Sequence, residues 1–504
     1  MKRYLPIILP ILFCLPFLLS AQQVTYSAYD REDNRDINFE IIGKMNDNIL
    51  VYKNIRWKHK ISVYDKDMKT KETVQLDFMP EKTFNVDFIV YPDFFYMIYQ
   101  YQKNNILHCM GVKLNGDAKK ITEPVEMDTT AIPFFAENKI YSTIFSEDKK
   151  KIMVFKIQKK YDRLNIVTLL FDDQLSLLNK TRQILDFDER RDNYGEFLLD
   201  NDGNLVFEMD KQPGIRENSF QLTLVTKKPL SESFMFHDIN LDKKFIDEVK
   251  LKIDNRTNRY IINSLYYPKS RGSIEGLFNC TWDKATEKQN PGVFYPFDES
   301  FRSEAHTDGL LRYTFDDFFI RNIFVKKDGG FLLTAEDYSS QTRNSNNSWN
   351  RWDYLNNNYS NYSNSYYSYN PYYGYYRPQN SFNRESTRYY YANVIVISVD
   401  KDGKADWNKV VHKDQFDDDD DNFLSFSTMN SGGEIHILYN MDTKNQLVAD
   451  QSINAEGTIK RNPTLKSQER GYMFMSRHSK QVGAGQLIIP CSYRNYICFA
   501  KVEF

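Results

Sequence analysis

Helical patterning is what this chain of 504 residues has least of: hardly any stretch repeats apolar side chains at the spacing of three and four that an amphipathic helix needs. An all-α or doubly wound α/β architecture is therefore excluded. Cysteine is scarce as well. There are five, none in a Cys-x-x-Cys pair and none with a histidine at metal-ligand spacing, which argues against a structural zinc site. Charge of one sign is missing too, with 66 Lys and Arg against 68 Asp and Glu and a net charge of -2. Such a balance leaves no electrostatic footprint for a polyanion, so nucleic acid is not an expected partner. Nucleophile elbows, phosphate loops and HExxH are absent. An enzyme whose site is assembled from distant loops is not excluded by that absence.

Long apolar runs are missing except at the start. Lys2 and Arg3 precede the run Leu5 to Leu19, after which Ser20-Ala21 supplies the small residues of a cleavage site before Gln22-Gln23. A membrane span needs about 20 apolar residues, whereas this run is shorter and carries Pro6, Pro10 and Pro16. Cys14 follows Phe13 where a lipobox needs a small residue. Residues 1–21 thus read as a signal peptide, with export to the periplasm, cell surface or exterior and no transmembrane segment in residues 22–504.

What is present is strand. Alternating runs rich in Val, Ile, Tyr and Phe recur from end to end, broken by turn residues. LLDNDGNLVFEMD (198 to 210), VKKDGGFLLTAED (325 to 337) and TMNSGGEIHILYN (428 to 440) each read strand, turn, strand. Hairpins such as KISVYDKDMKTKETVQL (60 to 76) and VIVISVDKDGKADWNKVV (394 to 411) alternate with them. Together the two units make a four-stranded antiparallel sheet that repeats about every 50 residues, the scale of a propeller blade. With strands lettered a to d from the centre outward, inner strands are expected to start near Ile37, Thr83, Tyr141, Asn193, Phe245, Phe315, Asn422 and Gly471. The expectation is one all-β propeller domain over 22–504, of eight blades or alternatively seven, with a pair of β-sandwiches as the competing architecture. The last blade has only three strands of its own, and VTYSAYD (24 to 30) is the natural fourth, so the N- and C-terminal strands would share one blade and hide its edges. In CSYRNYIC a two-residue turn at Arg494-Asn495 sets Cys491 opposite Cys498, either as a disulfide in an oxidising compartment or as two buried thiols.

FSEDKKKIMVFKI (145 to 157) resembles the TolB-type propeller repeat, in which Ser, Asp and a Gly or Lys turn precede an Ile-x-x-Phe strand, with Lys149 where Gly is usual. SVDKDGKADW (398 to 407) is similar to the sialidase Asp-box but has an extra residue between Asp400 and Gly403 and a shifted Trp407. The Tyr, Asn and Lys usage, with the exit at Ala21-Gln22, resembles exported propeller proteins of Bacteroidota, a likeness that implies no particular activity.

Residues 338–391 are a Tyr/Asn/Ser-rich insertion between strands b and c of blade six. Its heart holds Tyr359, Tyr362, Tyr366, Tyr367, Tyr369, Tyr372, Tyr373, Tyr375, Tyr376 and Arg377. In a four-stranded blade the b-to-c loops and the d-to-a links leave on one face, so the insertion shares a face with the acidic link Asp417, Asp418, Asp419, Asp420 and Asp421. Arg343, Arg351, Arg377, Arg384 and Arg388 outnumber Asp353 and Glu385 in the insertion, which favours contact with that link. Tyrosine faces stack on sugar rings or peptides while their hydroxyls stay wet; the bland alternative is a disordered polar segment without a ligand. Five aspartates could hold calcium, but they lack the alternation and glycine of an EF-hand, so a solvated loop and no cofactor are expected. FDERRDN (187 to 193) and the link 298–309, with Glu299, Glu304, His306 and Asp308, are the other polar clusters on that face. The functional expectation is a non-catalytic binding or scaffold propeller engaging a protein or glycan of the cell envelope or exterior. The alternative is a propeller glycoside hydrolase or polysaccharide lyase using carboxylates of the 298–309 link.

Overall fold

The computed structural model describes residues 23–33, 37–132, 140–306, 315–342, 349–352, 354–355, 387–418, 421–442, 447–466 and 472–504. These residues form eight antiparallel sheets, seven of them ordered a-b-c-d along the chain, and the sheets close into an eight-bladed β-propeller. Inner strands begin at Ile37, Thr83, Tyr141, Asp192, Phe245, Phe318, Phe426 and Tyr472. Blades six and seven start later than the sequence pattern suggests because the residues ahead of them spend their polar groups elsewhere. Asp316 accepts from Ile274 N at 3.0 Å, and Asn422 Oδ1 is 3.0 Å from His478 Nε2.

Blade stacking explains why apolar residues crowd some strands and not others. Every residue of strand b in blade one, Asn48–Ile55, is buried because both faces of the sheet meet a neighbouring blade, while strand d, Thr70–Gln75, is almost wholly exposed at the rim. The cores lie between blades, one apolar cluster at each of the eight interfaces, including the one that joins blade eight to blade one. At about 25 cal/mol for each Å² removed from water, this ring of cores is the main term that holds the fold.

Blade eight takes its outer strand from the other end of the chain. Gln23–Tyr26 pairs antiparallel with Tyr496–Glu503, Gln23 opposite Glu503 and Tyr26 opposite Ala500. The junction is reinforced by Ser27 N donating to Phe499 O at 2.8 Å and by Asp30, whose carboxylate lies 2.8 Å from buried Lys53 Nζ. In the same blade Cys491 and Cys498 stand directly opposite each other, buried, as free thiols.

The c-to-d turns repeat one device. Asp65, Asn115, Asp172, Asp400 and Asn454 each open a turn closed by an i to i+3 backbone hydrogen bond. Each also accepts, on its side chain, the amide of the residue four ahead. The residue at i+3 takes the left-handed conformation, as Met68, Ala118, Leu175, Gly403 and Gly457 do. Asp400 is therefore a turn cap, which accounts for the incomplete likeness to an Asp-box. Lys149 sits at a φ of 58° where the TolB-type pattern has Gly, and its carbonyl accepts from Tyr91 OH at 2.7 Å.

Candidate functional site

On the face where d-to-a links and b-to-c loops emerge, the inner ends of blades five to eight carry charge inside strands that are otherwise apolar. Strand b of blade six, Phe331–Thr342, begins FLLTA and then places Glu336 in the interior with no exposure at all. A buried carboxylate is tolerated only when it is fully paired. Glu336 Oε2 accepts from Arg321 Nε at 3.0 Å and from Ser425 Oγ at 2.7 Å, and Oε1 lies 2.7 Å from Lys413 Nζ. Burial pushes its pKa up, but Lys413 and Arg321 outweigh that and hold it below the usual carboxylate range.

A second pair stands beside it. Arg477, in the short 3-10 turn Ser476–His478 of blade eight, donates to Asp421 Oδ2 at 2.5 Å, and Tyr391 OH donates to the same oxygen at 2.8 Å. His478 is kept neutral, its pKa lowered to about 3 by burial and by Arg477 next to it. A third group centres on Asp247, which accepts from Tyr267 OH and from Arg351 Nε, each at 2.5 Å. One carboxyl stands apart from these pairs: Asp337, half-buried and close to Asp317, has its pKa pushed up to about 7 by burial and by that second carboxylate.

An aromatic lid joins the three groups. Residues 349–352 and 354–355 of the insertion fold back onto blade six, where Trp349 Nε1 donates to Asp317 Oδ1 at 2.7 Å and Tyr354 OH accepts from Arg321 Nη1 at 3.2 Å. Leu355 is only 2 % exposed, in a cluster with Phe319, Tyr338, Tyr391 and Leu424 that belongs to no blade interface. Part of the insertion thus packs as core. The insertion is also shorter than 338–391, because strands b and c continue as a ladder from Tyr338 opposite Tyr391 to Thr342 opposite Thr387.

The acidic run divides. Asp417 and Asp418 lie in a short strand, Gln415–Asp418, which pairs with strand c beyond the blade proper, Arg388 opposite Asp418. Arg388 makes a two-pronged contact with the Asp418 carboxylate at 2.8 and 3.0 Å, so one insertion arginine does meet the acidic link. Asp421 holds Arg477 rather than lying in a solvated loop, while Asp419 and Asp420 fall outside the described residues. Tyr359, Tyr362, Tyr366, Tyr367, Tyr369, Tyr372, Tyr373, Tyr375, Tyr376 and Arg377 fall outside them too.

The 298–309 link holds a helix, Glu299–Ala305, capped by Asp298, whose Oδ1 accepts from Phe301 N at 2.8 Å. Glu299 and Glu304 are five apart on it, roughly 140° around the axis at about 100° per residue, so they do not face each other. His306 follows as the C-cap, and Asp308 is outside the described residues. Among the described residues no three metal-binding side chains converge, and no helix is long and apolar enough to cross a membrane.

Charge within apolar strands was the available signal for what the motifs missed. FIDEVKL carries Asp247 and Glu248 in strand a of blade five, and FLLTAED carries Glu336 and Asp337.

No family model matches the chain, and no curated protein does either. Solved structures are similar to it at low identity. The WD40 domain of SCAP from fission yeast is 10 % identical with a TM-score of 0.41, over 96 % of this chain and 98 % of that one. The polysaccharide lyase Uly1 is 8 % identical with a TM-score of 0.40, over 95 % and 92 %. Prolyl oligopeptidase B from Galerina marginata is 8 % identical with a TM-score of 0.40; the match covers 94 % of this chain but 55 % of that enzyme.

Proposed function

We propose that this protein is an exported, non-catalytic binding propeller whose d-to-a face engages a protein or glycan of the cell envelope or exterior. One observation carries the reading: strands b and c of blade six run past their own sheet and, with Gln415–Asp418, form a three-stranded stem clamped by Arg388 and Asp418. A stem of this kind holds both ends of the tyrosine-rich segment at one place on the face, and a fixed anchor lowers the entropy lost on binding. Phe416 adds an exposed ring under the Arg388 guanidinium, 5.1 Å away. Glu336 and Asp421 are already held by cations, as a scaffold requires and as general acid-base chemistry does not.

The test is affinity capture from native envelope with the full chain and with a variant in which residues 356–386 are replaced by a Gly/Ser linker. Confining the excision to that range keeps Arg351 and Leu355 in place. The variant should melt like the parent, since loop-closure cost changes slowly with length, and should lose most of the captured partner. Equal capture by both chains sinks the reading.

A further inference from the structure

We infer that the mouth between blades five and six is a receptor for an arginine side chain, filled in cis by Arg351 and open to a protein partner that presents arginine on an extended segment. This names the partner class for the face proposed above and rests on that reading.

The site reads a guanidinium through two of its nitrogens and one of its faces. Arg351 Nε donates to Asp247 Oδ2 at 2.5 Å, and Nη1 donates to Phe318 O and, at 3.3 Å, to Asp316 O. Nη2 lies 4.0 Å from Glu248 Oε2, and the guanidinium carbon is 4.0 Å from the centre of the Phe319 ring. A carboxylate edge, two carbonyls and an aromatic face suit a flat, forked cation, whereas a lysine ammonium matches neither the fork nor the stacking.

The walls of this pocket are set without the insertion. Tyr267 OH and Glu248 N both donate to Asp247 at 2.5 Å, Ile320 N donates to Glu248 Oε2 at 2.9 Å, and Lys250 Nζ lies 3.6 Å from Glu248 and 2.9 Å from Glu196. All of these groups belong to blades four, five and six. With the occupant removed, Asp247 and Glu248 lose the guanidinium that faces both of them, so the pocket is left with one positive charge fewer. Arg351 itself comes from the insertion, the same connection that carries the tyrosine-rich segment. The eight inter-blade cores close without it, and an apolar filler would cost less than a buried ion pair. An occupant tethered in cis acts at high effective concentration, so an incoming arginine must bring further contacts along the stem to displace it.

Chemical rescue tests this directly. R351A should melt below the parent, and ethylguanidinium should restore its melting temperature with saturation while leaving the parent and R351A/D247N unmoved; ethylammonium should restore none. N-acetyl-arginine amide should bind R351A about tenfold or more tightly than it binds the parent, the difference being the cis competitor. If R351A does not fold, R351Q keeps the side chain as far as Cδ and an N–H donor, and carries the same titrations. Recovery by ethylammonium equal to that by ethylguanidinium, or no recovery by either, overturns the proposal. The capture experiment separates the two readings: rescue with no captured partner leaves the receptor standing and removes the binding face, and capture without rescue does the reverse.

Discussion

On the side of the a-to-b and c-to-d turns, Asp65, Asn115, Asp172 and Asp400 each hold amides no more than four residues ahead, whereas on the opposite side Glu336 is gripped by Arg321, Lys413 and Ser425, the last of them 89 residues away. The first pattern recurs because the blade recurs, and each turn can be understood from its own five residues. The second follows no repeat: Lys53 with Asp30 and Lys156 with Asp128 are buried pairs at other blades, each with different partners, and the group around Glu336 lies where the insertion folds down. A repeat architecture needs the turns at every step, but nothing about repetition calls for the ions. Their desolvation is a cost that the ring of apolar cores does not require.

Substitutions sharpen this contrast, beginning with the ions. E336Q keeps the shape of the side chain and strands Lys413 and Arg321 in the interior, so unfolding in denaturant should show a loss of about 3–5 kcal/mol. A loss no larger than that of a turn mutant would break the comparison. Asp337 comes next, and here the sign runs the other way. Its pKa is raised, to about 7, by burial first and then by Asp317, with Lys413 opposing and Glu336 adding. The folded state therefore favours the protonated form, and stability is lost as pH climbs from the ordinary carboxylate range near 4 through about 7. D337N should be the more stable protein near pH 8 by about 1–3 kcal/mol and match the parent near pH 4. Thermal melts at the two pH values decide it, and a gain at the lower pH alone would contradict the assignment.

Turn caps should give less. D172A removes acceptors for the amides of Gln174 and Ser176 and should cost about 1 kcal/mol. Smallest of all, R388A breaks an exposed pair worth about 0–1 kcal/mol. Its melting temperature should hardly move while capture of the proposed partner falls. A large stability loss would make the stem a structural prop and weaken its place in binding.

Much of the ring was legible because blades repeat. Period-two alternation, turn residues and a spacing of one blade located the eight inner strands, and the odd strand 24–30 had one open edge to fill. The site was harder for a physical reason. Asp247 pairs with Arg351, Glu336 with Lys413 and Asp421 with Arg477 across long separations in sequence, so no local spacing betrays them. Composition even misled at 349–355, where a polar segment hides Leu355 and Arg351 among low-complexity neighbours. Asp421 looked like one more member of an acidic run, and only tertiary contact with Arg477 and Tyr391 sets it apart.

The strand shared by the two ends of the chain also bears on timing. Gln23 meets Glu503, so one of the first segments to be made must wait for one of the last before blade eight is whole. Contacts this remote in sequence are slow to form, and until they do the outer edge of that blade lies open to any passing strand. Under tension the order reverses: a pull on the amino end loads four short rungs one after another, so the ring unzips at its seam while the other seven blades still hold.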